Sequence, residues 1–239
     1  MTSDPQTRLS YQLSPVNPRV QQFLKLLALG LMLVDHVHLV FFDRQLEWLY
    51  WLSRLVFPIF ALIVAQNLEQ HHTNPRRYIS RLFVYGLLAQ PFYFGCFHTL
   101  QLNVLFTLAS SVATYTTMQE LKTRKAFWAL RWGLALTIAS SLPFLEFGWA
   151  GVLAVPAFAA LMRRGAWSDW LACFALSFGI VGFTSPWPMP LVAVGLWAIA
   201  ARFGTADSWQ PAIWIKHAYY TFYPVHLAII ALVSTVAKA

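Results

Sequence analysis

The chain has 239 residues, of which 58% are hydrophobic and only 11% charged, and it carries a formal charge of +8. So apolar a composition excludes an ordinary soluble globular domain and is that of an integral membrane protein. The basic excess is spread between apolar segments rather than gathered on one stripe, which argues for membrane topology and against nucleic-acid binding.

The first stretch, Met1 to Arg19, is polar and proline-bearing and lacks a cleavable signal pattern. The expected organisation is a polar cytoplasmic tail over 1–21 and a single transmembrane helical domain over 22–239. Apolar segments parted by short polar breaks predict about nine spans, at 22–42, 48–68, 79–97, 103–118, 127–145, 148–162, 170–186, 190–203 and 216–236. The expected fold is therefore all-α, a polytopic bundle. Alternate connections collect Arg8 and Arg19; Arg76, Arg77 and Arg81; Lys122, Arg124 and Lys125; Arg163 and Arg164; and Arg202 with Lys216. Short cytoplasmic loops accumulate such residues, so the N-terminus is expected in the cytoplasm and the C-terminus outside.

The first span carries Lys25, Asp35, His36 and His38. An ionisable group near the bilayer centre costs about 2.5–3.5 kcal/mol on insertion scales, so these groups are expected to line a polar cavity or to pair between helices. Asp35 and His38, three residues apart, share a helix face, with His36 rotated by about 100°. A carboxylate beside an imidazole holds its tautomer and raises its basicity, as a general base requires; the other reading is mutual neutralisation that fixes packing. Arg54 enters the second span at similar depth, either as a salt-bridge partner of Asp35 or as a group that stabilises an oxyanion or binds a carboxylate. Pro58 and Pro91 are expected to kink their helices.

Gln90 and Asn103 suit helix–helix hydrogen bonding, and Cys96 and Cys173 suit packing rather than a disulfide or a metal site. His71 and His72 belong to a solvated loop where Arg76 and Arg77 can attract phosphates or anionic lipid. Glu146 is expected at the outer surface without a role. In the last span Tyr223 and His226 share a face directed to mid-membrane, where His226 faces a polar interior or bonds a carbonyl freed by Pro224. Tyr219 and Tyr220 read as interfacial-belt residues. No Gly-rich phosphate loop, metalloprotease helix motif or Gly-x-Ser-x-Gly elbow occurs, which argues against soluble-type nucleotide and hydrolase chemistry.

Lys25-Leu-Leu-Ala-Leu-Gly-Leu-Met-Leu-Val-Asp-His36 resembles the opening motif of the TraX family, conjugal-transfer membrane proteins associated with pilin N-acetylation. Arg54-Leu-Val-Phe-Pro-Ile-Phe-Ala61, Asn103-Val-Leu-Phe106 and Phe222-Tyr-Pro-Val-His-Leu227 resemble its later motifs, in family order. The fifth to eighth spans match only through a loose Gly148-Trp-Ala-Gly151. The resemblance implies a multi-pass protein of the bacterial inner membrane that moves acetyl from acetyl-CoA to the N-terminal amine of a conjugative pilin, with pilus-assembly proteins as further partners. Carried over by motif, Asp35, His36, Arg54, Asn103 and His226 are the expected site.

In that scheme His36 or His226 is the base, Asp35 orients it, and Arg54 or Asn103 serves the oxyanion, with His38 and Tyr223 near the substrate. Lys25, Arg76, Arg77 and Arg81 would hold the donor's phosphates, and no metal is implied. Three other readings stay open: head-to-tail joining of pilin termini, with Cys96 and Ser53 as weak nucleophile candidates; a non-catalytic pilin chaperone; and a transporter with Asp35 and His38 as proton carriers.

Overall fold

The computed structural model describes residues 18–42, 45–70, 73–122, 133, 144–164, 168–169, 171–173, 175 and 213–238. The expected tail, apart from its last residues, lies outside these residues. So do nearly all of the fifth, seventh and eighth expected spans, with Arg8, Arg124, Lys125 and Arg202. The described elements are all helices: α1 Pro18–Phe42, α2 Glu47–Ser53, α3 Val56–Gln70, α4 Pro75–Phe97, α5 Val104–Lys122, α6 Gly148–Arg164 and α7 Ile213–Lys238. Two of them contain stretches long and apolar enough to cross a membrane, Arg19–Phe42 and Ala218–Ala237; Val56–Glu69 and Gly148–Arg163 are shorter apolar helices.

α1 starts four residues earlier than its apolar run, because Pro18 is preset for a first helical position, where its missing N–H costs nothing. The second expected span is two helices rather than one, parted by a turn at Arg54 and Leu55. The cause is Pro58: it offers no N–H to the Arg54 carbonyl, and its ring would clash with that carbonyl in a continuous helix. The break lets Arg54 leave the helix surface and turn inward. Pro91, by contrast, lies inside an uninterrupted α4.

α4 packs between α5 and α7, α6 packs on α5 and α3, and α1 packs on α2, α3 and α7. The core joins Phe57, Ala61 and Ala65 of α3, Val112 of α5, Val155, Ala159 and Leu161 of α6, and Leu227 of α7. Small residues at these seams let backbones approach closely. At Gly86 an added Cβ would sit 3.2 Å from the Phe106 ring, and at Gly151 it would sit 2.5 Å from Thr107 Cγ2 and 2.7 Å from Phe147 Cβ. Leucine, isoleucine and valine side chains such as Leu26, Leu87, Ile229 and Val236 point outward.

Polar groups gather at two levels. At the level where α1 begins, the Gln21 amide donates to Gln66 (3.3 Å) and Asn67 (3.0 Å), and Lys25 Nζ donates to Gln21 (3.3 Å). Glu69 there pairs with Arg163 at 3.1 Å and accepts from the Tyr115 hydroxyl at 2.9 Å. The second level lies further along α1 and holds the candidate site. Lys25 and His36 are eleven residues apart, about 16 Å of helix rise.

Candidate functional site

The second level is built where α1, the break between α2 and α3, the start of α6 and the middle of α7 converge. Asp35 of α1 meets Arg54 at 3.5 Å and accepts a 2.7 Å hydrogen bond from Ser53 Oγ. The guanidinium lies over the Tyr50 ring at 4.4 Å. A single α-helix through this region would have held Ser53 and Arg54 on its own surface, so the Pro58 break is what aims both at one carboxylate.

One residue on, His36 is rotated by about 100° around the helix and bonds His226 of α7, Nδ1 to Nε2, at 2.8 Å. Both histidines are buried, 7% and 4% exposed. Their ring centroids are 5.0 Å apart and their planes 5° from parallel, so the rings lie edge to edge in nearly one plane, where an N–H and a lone pair can point at each other. His226 Nδ1 lies 2.8 Å from the Phe222 carbonyl oxygen.

That contact orders the protons. A carbonyl only accepts, so His226 Nδ1 carries a hydrogen, and in the neutral ring Nε2 is then the bare nitrogen. His226 Nε2 therefore accepts from His36 Nδ1–H. A neutral His36 with its hydrogen on Nδ1 presents its lone pair at Nε2. The Phe222 carbonyl thus selects, through two rings, which nitrogen of His36 is basic.

A cavity of about 30 Å³, roughly the space of one water, is lined by Asp35, His36, Ser53, Arg54, Glu146 and Tyr223 among apolar residues that include Met32, Phe57 and Phe147. Among the described residues, Arg54 Nε and the Tyr223 hydroxyl are buried and have no hydrogen-bond partner. Buried donors normally find acceptors, and two on the lining of one cavity without them mark a place for an incoming carbonyl oxygen.

The sequence-derived candidates separate into three groups. His36, His226, Asp35, Arg54 and Tyr223 come together. His38 does not join Asp35: its Nε2 accepts from the Leu46 N–H at 2.9 Å, and it faces the link between α1 and α2. Asn103 is fully buried but committed, because its amide donates to the Gly86 carbonyl and to Gln90 Oε1, both at 2.9 Å, while its carbonyl oxygen accepts from Leu105 N at 3.1 Å. Asn103 caps α5 and locks it to α4, so it has no N–H left for an oxyanion. Lys25, Arg76, Arg77 and Arg81 all lie toward the other level, Lys25 half-buried with its ammonium 5.6 Å from the Tyr219 ring centre and the three arginines exposed.

Two residues of the cavity hold places other than those expected from the sequence. Ser53 needed the helix break to reach Asp35. Glu146, expected at the outer surface, lines the cavity instead. The available signal was its setting, an acid between Leu145 and Phe147 directly before the Gly148 that starts a helix.

The family model described as "TraX protein" matches residues 20–234. A "Protein TraX" of Escherichia coli is 26% identical over 229 residues, covering 91% of this chain and 88% of that protein. A second "Protein TraX", of Escherichia coli strain K12, is 24% identical with the same coverage. A "Probable fimbrial assembly protein FimC, serogroup H1" of Dichelobacter nodosus is 33% identical over 101 residues, 36% of this chain and 41% of that protein. No solved structure matches.

Proposed function

We propose, from the premise that this chain belongs to the TraX family, that it is a membrane-embedded acyltransferase of conjugative pilus maturation, moving acetyl from acetyl-CoA to the N-terminal amine of pilin. The observation that carries the reading is the cavity itself. His36, whose basic nitrogen is Nε2, and the bearers of two unpartnered donors, Arg54 Nε and Tyr223 Oη, line one small, partly open space of about 30 Å³. Acyl transfer to an amine asks for a proton acceptor, oxyanion donors and exclusion of water.

Acetyl-CoA supplies an activated thioester. The donor set at the far level suits its phosphates: Arg76, Arg77 and Arg81 crowd the first turns of α4, and Lys25 stands beside the Gln21, Gln66 and Asn67 amides. At the near level His36 Nε2 takes a proton from the neutral acceptor amine as the new C–N bond forms. Arg54 and Tyr223 hold the carbonyl oxygen while its charge grows, and Asp35 and Ser53 hold Arg54 in place. His36 then returns the proton to the departing thiolate as the C–S bond breaks, so no proton is left over. His226 keeps the hydrogen of His36 on Nδ1, and therefore acts as a positioning residue.

The reading places the N-terminus in the cytoplasm of the bacterial inner membrane, with about nine spans and the phosphate-holding level on the cytoplasmic side. The test is the intact mass of the cognate pilin produced with this protein, without it, and with His36→Ala. A gain of one acetyl group that disappears in the variant is the expected result. Loss of one water with no free terminus would instead mean head-to-tail joining, and an unchanged mass throughout would leave a pilin chaperone.

A further inference from the structure

The stretch before α6 does more than connect helices. The Leu102 N–H donates to the Phe144 carbonyl at 2.5 Å, and Leu102 and Leu145 form an isolated parallel bridge. Leu145 is 6% exposed, and Phe147 stacks on Phe57 with ring centres 4.3 Å apart. Gly148 then turns with φ +47°, its N–H returning to the Leu145 carbonyl at 3.1 Å. Such a φ favours glycine because a Cβ would be crowded there. Glu146 thus sits between Leu145, which is buried, and Phe147, which is half-buried against Phe57.

Where it is held, Glu146 is the main charged neighbour of two buried phenols, Tyr93 of α4 and Tyr223 of α7. It lines the same cavity as Asp35, His36 and Arg54. With both carboxylates ionised and the histidine neutral, the lining carries two negative charges and one positive, a net charge of −1. Asp35 is spent on Arg54 and Ser53. A small, partly open space of net negative charge, with a base at its edge, is complementary to a cation that must give up a proton there.

We propose that Glu146 is the ammonium-binding carboxylate of the acceptor site: it pairs with the positively charged amino terminus of the polypeptide substrate and holds it beside His36 while one proton leaves to solvent; the neutral amine then attacks, and His36 Nε2 takes the second proton and returns it to the departing thiolate. The inference rests on the acyl-transfer reading for the chemistry after binding, but not for binding itself. Within that reading it sets a cationic amine apart from a hydroxyl or an amide, neither of which carries a positive charge for the carboxylate to pair with. Glu146 also accounts for the care with which Phe144, Leu145, Phe147 and Gly148 are placed, since a plain loop would need none of it.

The test uses the full chain in nanodiscs and two short apolar peptide amides, one with a free N-terminal amine and one with a hydroxyl in place of that amine. Peptide binding is read by fluorescence, and acetyl transfer to the amine peptide is read by mass. The wild type should bind the amine peptide at least tenfold more tightly than its hydroxyl analogue. Glu146→Gln should lose that preference and raise the KM for the amine about 10- to 100-fold, the range of a charge-assisted contact, with the KM for acetyl-CoA unchanged. Glu146→Asp, which keeps the charge, should retain part of the preference.

Equal preference in wild type and Glu146→Gln overturns the proposal, and so does an equal rise in both KM values. Failure of both Glu146 variants to fold would make the residue a structural one and overturn it too. If the wild type shows the Glu146-dependent preference but no acetyl is ever transferred, the ammonium site stands and the acyl-transfer reading falls. If acetyl is transferred with the same amine preference in both, the reverse holds.

Discussion

The two histidines bonded at 2.8 Å are chemically unequal, although both come from motif positions. His226 is anchored at Nδ1 by Phe222, and only His36 has a lone pair to offer. His36→Ala is therefore expected to lower the rate of pilin acetylation by about 10²–10⁴-fold, the usual range for a general base. His226→Gln, whose amide can still accept from His36, should cost less than His226→Ala; time courses of pilin mass check the order. Asn103 gives a contrasting case. Its loss removes a helix cap and a bond to α4, so Asn103→Ala is expected to destabilise the protein by about 1–2 kcal/mol in thermal unfolding while leaving the KM for both substrates unchanged. A large fall in kcat in a protein of normal stability would instead restore Asn103 to the chemistry.

Helices α2 and α3 form one apolar run in the sequence, and one proline parts them. Pro58→Ala should let the run close toward a continuous helix and draw Arg54 away from Asp35, and acetylation should fall although no cavity residue has changed. At the contact of α5 and α6, Gly151→Ala places a methyl 2.5 Å from Thr107 Cγ2 and 2.7 Å from Phe147 Cβ, where there is no room for it. The expected cost is about 1–3 kcal/mol, the usual penalty for overpacking, read from the midpoint of thermal unfolding. The displaced Phe147 would also move Glu146, so the acceptor KM should rise in parallel.

At the scale of the molecule, polar chemistry is divided between two levels of an apolar bundle, and the proposed reaction needs them to face opposite sides of the membrane. With Cys96 and Cys173 replaced by Ala, a single cysteine at Arg77 should resist a membrane-impermeant maleimide until cells are opened. One at Leu100, 77% exposed beyond the end of α4, should react in intact spheroplasts. The opposite pattern would invert the orientation and remove the cytoplasmic route for acetyl-CoA.

Helical character, an apolar surface and the candidacy of Asp35, His36, Arg54 and His226 were all legible in the chain. An acid or imidazole inside an apolar helix is costly enough to announce itself, and Lys25 to His36 forms a motif on one continuous segment. The Asp35–Arg54 pair was among the readings offered by the sequence; the other pairings could not be read. Spacing along α1 put Asp35 with His38, yet the two diverge, since partners 18, 19 and 190 residues away decide the matter through Ser53, Arg54 and His226. Glu146 was invisible as a site residue for the same reason: its place depends on a bridge to Leu102 and a ring stack on Phe57, contacts between segments far apart in sequence. Local pattern by itself determined an apolar, helical chain and named its unusual residues. Apart from Asp35 with Arg54, tertiary structure alone decided their pairing, because hydrogen-bond partners are chosen by distances of about 3 Å across helices that sequence spacing does not encode.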